Sequence, residues 1–303
     1  MLSYIFELLI FNKLLRHLVH AYIMRKLLTL LLISLTFNGV AQNSDSISVL
    51  SWNVFLRPAI LADGQLNRVD SISEYLLASN ADALILQEVF HKKSRKRLIK
   101  QLNSTYPFHT SMGKRSFFGV PSGVCIFSKD SILIEKEMSY SHAKGSDRMA
   151  RKGVWMIKID HSNRNFALFG THLQAGGGDK RTEVRKNQLS ELSTFVLANC
   201  HSSTSIIAGD FNITQQLNNY THALSSLDAS NFKISGELKN TANFTDHSLT
   251  NSSGSSKWID FILLKKEHLV NFKSSHIEEP RCRLKKKNQR ISDHNPIITV
   301  FQW

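Results

Sequence analysis

Short runs of β-branched and aliphatic residues recur along the chain, and each stops at or carries a polar side chain. Ile47–Val54 holds Asn53, Ala81–Leu86 leads into Gln87-Glu88, and Asn165–Gly170 leads into Thr171-His172. Ser205–Ala208 runs into Gly209-Asp210-Phe211-Asn212, Trp258–Leu264 holds Asp260, and Asp293-His294 precedes Pro296–Gln302. Continuous apolar runs of this length suit strands buried on both faces. A carboxylate at the tip of such a strand is costly unless it is paired or bound to a cation. A fold that sets these strand ends side by side therefore gathers the polar groups into one pocket.

Between the runs lie helical patterns. Leu66, Val69, Ile72, Leu76 and Leu77 recur at helical spacing within 65–78, His91–Leu102 is a basic helical stretch, and Lys180–Ala198 puts Val184, Leu189, Leu192 and Val196 on one face. Further strands are expected over 123–127, 132–138, 154–159 and 165–170, arranged as a meander. Many strands with interspersed helices predict an α/β architecture: a four-layer sandwich of two face-packed mixed β-sheets flanked by helices. The serine- and asparagine-rich stretch 227–257 reads as a surface excursion.

The N-terminus is expected to stand apart. Met24-Arg25-Lys26, the apolar run Leu27–Phe37 and Asn38-Gly39-Val40-Ala41 have the order of a signal peptide over 24–41, with a membrane anchor as the alternative. The run falls short of the roughly 20 residues that span a bilayer. Residues 1–23 precede the better start and read as an extension from a mis-assigned start codon. Residues 42–303 then form a single catalytic domain, and the protein is expected to be secreted or periplasmic. The net charge of +14 favours anionic partners, whether nucleic acid, phosphorylated substrates or acidic membranes, without choosing among them. Three cysteines, Cys125, Cys200 and Cys282, allow at most one disulfide and show no metal-type spacing. Cys125, inside GVCIF, reads as a buried filler.

The polar groups form a consistent chemical set. Glu88 and Asn53 make a sparse oxygen site of the kind Mg²⁺ prefers, leaving room for water and phosphate. Asp210 and Asn212, alternate residues after a glycine, are expected on one side of an extended chain. His294 is the candidate general base, oriented by Asp260. His172 could donate to a phosphate oxygen and offset its charge. Any one of these residues alone could merely cap a strand or a turn.

Together the segments resemble the endonuclease/exonuclease/phosphatase superfamily, the deoxyribonuclease I-like fold, over residues 47–303. WNVF with Leu56-Arg57-Pro58, QEVF, and above all Thr171-His172-Leu173-Gln174-Ala175 are most similar to neutral sphingomyelinases. The resemblance implies Glu88 as principal metal ligand with Asn53 nearby, and Asp210 and Asn212 positioning water and phosphate. It further implies His172 on the phosphate, His294 as base supported by Asp293 and Asp260, and Lys152 as an active-site lysine. The implied reaction is Mg²⁺-dependent hydrolysis of sphingomyelin, or a related choline phospholipid in a membrane, with Mn²⁺ or Co²⁺ as substitute ions. The alternative on the same fold is a secreted endonuclease acting on nucleic acid. Between Asp260 and Asp293 the chain lacks the aromatic hairpin of the haemolytic members. It carries instead the basic run Arg281–Lys287 and Arg290, expected as a solvated loop or an anionic-surface contact.

Overall fold

The computed structural model describes residues 20, 24–26, 46–61, 63–111, 120–200, 203–215, 218–245, 249, 254–265, 270–284 and 287–303. The chain falls into two compact units, Met1–Ser44 and Asp45–Trp303. In the first, His20 and Met24–Lys26 are helical and exposed. The rest of the expected extension and signal peptide lies outside the described residues. Among those described, no helix is long and apolar enough to cross a membrane.

The second unit holds two six-stranded sheets. The first contains β1 (Ser46–Leu56), β2 (Ala83–Val89), β3 (Phe108–His109), β4 (Cys125–Ser128), β11 (Asn271–Ile277) and β14 (Ile297–Gln302). The second contains β5 (Ile132–Ser139), β6 (Gly153–His161), β7 (Arg164–His172), β8 (Thr204–Asp210), β9 (Ala229–Asn231) and β10 (Asp260–Lys265). Their orders are β11-β14-β1-β2-β4-β3 and β5-β6-β7-β8-β10-β9. The pairs β1–β2 and β7–β8 are parallel and their neighbours antiparallel, so both sheets are mixed. Helices α1 (Gln65–Ser79) and α2 (Lys92–Leu102) cover the outer face of the first sheet. Helices α3 (Asp179–Asn199) and α4 (Asn218–Leu227) cover that of the second. This is the expected four-layer α/β sandwich.

The period of two sorts the strand residues between layers. In β1, Ile47 and Val49 enter the inter-sheet core while Leu50, Trp52 and Val54 face the helices. In β7, Phe166 and Leu168 face inward while Ala167 and Phe169 meet α3; in β8, Ile206 and Ala208 face inward and Ile207 outward. Continuing that alternation to the strand ends puts Asn53, His172, Asp210 and Asp260 on the inter-sheet side. The apolar sandwich fills the seam and the polar residues close one end of it. Gly170 lets the sheets approach just below: a Cβ there would lie 2.8 Å from Ile85 Cγ2 and 3.1 Å from Val124 Cγ1.

Several expectations need correction. The strand over 123–127 is β4 of the first sheet, so the meander comprises β5, β6 and β7 alone. The stretch 227–257 is not a free surface excursion: β9 pairs with β10, and Thr241 and Ala242 are fully buried. The basic run is not a loop but a two-stranded hairpin, β12 (Arg281–Leu284) with β13 (Lys287–Arg290). Arg290 is buried there, donates to the Asn295 side-chain carbonyl and forms an ion pair with Glu279 at 3.4 Å. All three cysteines are free, and burial pushes the Cys125 thiol up to about 12.

Candidate active site

The site assembles where strand geometry breaks. Phe55, Glu88 and Asn212 all have positive φ, at 52°, 58° and 52°. This left-handed region is uncommon for non-glycine residues and costs on the order of 1–3 kcal/mol at each position. At Glu88 it interrupts the alternation of β2 and brings the carboxylate to the same cleft as Lys152 and His172. At Asn212 it replaces the expected extended alternation. The Asn212 amide N–H instead turns back to Asp210 Oδ1 at 2.9 Å, and its side chain donates to the Leu173 carbonyl at 3.2 Å. Asp210 and Asn212 do converge, but through a tight turn. Just before that turn, Gly209 in β8 lets β7 approach closely: a Cβ there would overlap the Thr171 carbonyl oxygen.

Register then aligns the groups from neighbouring strands. His172 lies opposite Asp210 across β7–β8, and Asp210 lies opposite Asp260 across β8–β10. His294 Nδ1 donates to Asp260 Oδ2 at 2.8 Å, and its Nε2 lies 3.8 Å from Asp210 Oδ2. Thr241 Oγ1 accepts from the Ile259 and Asp260 amides, both at 3.0 Å, and holds that strand end in place. The other sheet supplies the stitches. Trp52 Nε1 donates to the His294 carbonyl at 2.9 Å, and Ser292 Oγ donates to the Asn53 carbonyl at 2.6 Å. Asn53 Nδ2 donates to both Glu88 Oε1 and Asp210 Oδ2 at 3.2 Å. All nine residues singled out in the sequence therefore lie in one connected site.

Their electrostatics differ from simple expectation in two respects. Asp293 gives the His294 ring no hydrogen bond and acts on it through charge alone, whereas Asp260 supplies the bond. His172 is set for a hydrogen-bonding role more than for a charged one. Burial, then the charges of Lys152 and His294, hold its pKa well below the usual value, which disfavours a charge on the ring. Lys152 beside it is also buried. Its Nζ donates to His172 Nε2 at 2.9 Å and to the Leu173 carbonyl at 2.8 Å, and pairs with Asp147 Oδ2 at 2.9 Å. His172 Nε2 also lies 3.4 Å from Asp210 Oδ2, while its Nδ1 is buried without a partner.

Burial opposes a charge on His294, but the charge and hydrogen bond of Asp260, then Asp210 and Asp293, raise its pKa well above the ordinary value. Burial and then Asp260 push Asp210 up to about 7. Burial, then the charge of Asp293, raises Glu88, and burial raises Asp293. Crowded carboxylates resist ionising together unless a positive charge joins them.

Glu88 Oε2 and Asp293 Oδ1 are buried with no hydrogen-bond partner. Orphaned carboxylate oxygens beside an amide fit a hard divalent cation that takes oxygen ligands. Asp210, Asp260 and His294 also lie close enough together to hold an ion, their ligand atoms being within 4.8 Å of one another. The Nδ1–Asp260 bond occupies that group internally, so the Glu88 side fits better. Sequence reasoning missed Asp147, Thr241, Ser292 and Arg68. Arg68 is buried, donates to the Val54 and Ile291 carbonyls, and carries a pKa that burial lowers to about 10. Asp147 and Ser292 lie in the segments that carry Lys152 and His294, with nothing in their residue types to mark a role, and Arg68 and Thr241 lie in no motif.

A histidine paired with a buried carboxylate, facing further carboxylates at the mouth of a two-sheet sandwich, is the equipment of a phosphodiester hydrolase. The chain belongs to the Endonuclease/Exonuclease/phosphatase family, whose pattern matches residues 50–294. It is similar to sphingomyelinase C of Bacillus cereus, 27% identical over 294 residues covering 86% of this chain and 84% of the relative. It is also similar to sphingomyelinase C of Listeria ivanovii, 24% identical over 266 residues covering 78% and 79%. A crystal structure of beta toxin from Staphylococcus aureus matches with a TM-score of 0.75 at 23% identity, covering 84% of this chain and 99% of that one. Another beta toxin structure, with bound magnesium ions, matches with a TM-score of 0.72 at 22% identity, covering 84% and 99%. The family resemblance carried by WNVF, QEVF and THLQA is thus borne out.

Proposed function

We propose that this protein is an exported, Mg²⁺-dependent phosphodiesterase that hydrolyses sphingomyelin to ceramide and phosphocholine. The observation that carries the reading is the buried His294–Asp260 pair, with Nε2 directed toward Asp210 and an orphaned Glu88 oxygen in the same site. The similarity to sphingomyelinase C of two organisms supports the lipid substrate.

In this reading Asp210 and Asn212 position the phosphate and the attacking water. His294 in its neutral form accepts the water proton on Nε2 while Asp260 holds Nδ1–H and stabilises the imidazolium. The new P–O bond forms as the bond to the ceramide oxygen breaks, so no covalent enzyme intermediate is required. Lys152 supplies a positive charge beside the phosphate, and His172, whose Nε2 faces Lys152 and Asp210, contacts the phosphate. Glu88, with Asn53 and Asp293 nearby, would hold the divalent ion, which when bound neutralises charge on the phosphate and the departing oxygen. Residues 24–41 would direct export.

The test is hydrolysis of sphingomyelin vesicles and, separately, of plasmid DNA, each with Mg²⁺ or with EDTA. Phosphocholine release that needs the metal, without DNA nicking, is expected. Nicking without phosphocholine release would transfer the site to the endonuclease reading.

A further inference from the structure

The cleft that reaches Glu88, Lys152 and His172 has a volume of about 480 Å³, and its outer lip is apolar. Two short 3-10 turns form that lip. Ala59–Leu61 projects Ile60 and Leu61, which are 90% and 49% exposed, and Gly145–Met149 projects Met149, which is 65% exposed. Large side chains this exposed have no packing role, and here they cluster at the entrance to the reacting groups. The second turn is also flanked by cations. Lys144, Arg148 and Arg151 line an adjoining concavity that shares Ala150 with the cleft. An apolar tip within a basic collar matches the boundary of a bilayer, where acyl chains lie beneath headgroup phosphates.

We propose that Ile60, Leu61 and Met149 form the face by which this protein seats on a lipid bilayer, with Lys144, Arg148 and Arg151 at the level of the phosphates. The inference rests on the lipid-cleaving reading for what enters the cleft, but the surface itself is tested by binding alone. Seating this lip in the interface would bring a headgroup to the cleft without lifting the lipid free. Among the described residues, none of the basic hairpin β12–β13 lines this cleft.

The experiment compares the full chain with an Ile60→Ser/Met149→Ser variant and an Leu133→Ser/Leu197→Ser control. Leu133 and Leu197 are similarly exposed, at 56% and 53%, but lie on β5 and α3. Co-sedimentation in EDTA uses vesicles of phosphatidylcholine and phosphatidylserine without sphingomyelin, so binding is read apart from turnover. The lip variant is expected to partition roughly tenfold or more weakly, from loss of two buried apolar side chains, with the control unaffected. The lip variant should melt at the same temperature as the parent, which verifies its fold. Wild-type partition by the lip variant, equal losses in both variants, or no vesicle binding by the parent would overturn the proposal. If the parent binds vesicles but leaves monomeric sphingomyelin intact, the functional reading fails while the partition comparison still decides the docking face.

Discussion

Replacing Asp260 by asparagine removes one charge from the centre of the site and almost nothing else. The side chain is fully buried, the new amide has the same shape, and Thr241 still holds the strand end. What disappears is the charge partner of His294 Nδ1 at 2.8 Å. A charge-assisted hydrogen bond contributes about 1.5–3 kcal/mol. Unit charges about 4 Å apart at an effective dielectric of about 20 interact by about 4 kcal/mol. The two estimates describe one interaction, and it is strong only when the ring has taken the proton. A loss of about 3–4 kcal/mol of transition-state stabilisation corresponds to a fall in kcat of roughly 10²–10³-fold. The amide can also donate to Nδ1, leaving the proton on Nε2 where the water should deliver it. Initial rates of phosphocholine release at saturating Mg²⁺, with thermal melting to verify the fold, make the comparison. A kcat within about threefold of wild type, at unchanged melting temperature, would refute the orienting role of Asp260.

Glu88→Gln should raise the Mg²⁺ concentration for half-maximal activity by roughly tenfold or more, since the ion loses its principal charge partner. An unchanged titration midpoint would move the ion to the Asp210–Asp260–His294 group. Gly209→Ala should destabilise by at least about 3 kcal/mol in urea unfolding, because the new Cβ meets rigid backbone on β7. A loss below about 1 kcal/mol would mean that the β7–β8 pairing yields more readily than its geometry implies. His161 should make stability pH-dependent. Burial opposes its charge, but Asp130 at 2.7 Å and the Ser46 carbonyl raise its pKa. A raised folded value stabilises fully below the unfolded value of about 6.5 and is lost as pH rises through the folded one. The melting-temperature gap between wild type and His161→Gln should therefore be widest near pH 5.5 and narrow toward alkaline pH; a gap that widens instead would reverse the sign.

The layers were legible because alternation is a local property. Ile47, Val49, Leu50 and Trp52 reveal two buried faces before any partner strand is known, and the α3 pattern over 180–198 differs from the observed Asp179–Asn199 by one residue at each end. The site was legible because strand-end polar groups have few other reasons to interrupt apolar runs. What stayed hidden depends on contacts distant in sequence. Thr241 sits in a serine- and asparagine-rich stretch that looks like solvent, yet it caps Asp260. Asp147 acquires meaning only through Lys152. The left-handed turn at Asn212 leaves no trace in residue type beyond the tolerance of asparagine for that conformation.

Trp52 and His294 are bonded across 242 positions, and β1 leans on β14 along its whole first half. The base is thus set in place by an early strand that must wait, with an open edge, for a partner made long after it. Contacts so remote close late and slowly. A nascent chain that carries every carboxylate of the site but has not yet paired β1 with β14 would still be inert, so hydrolysis waits for the sheet to close.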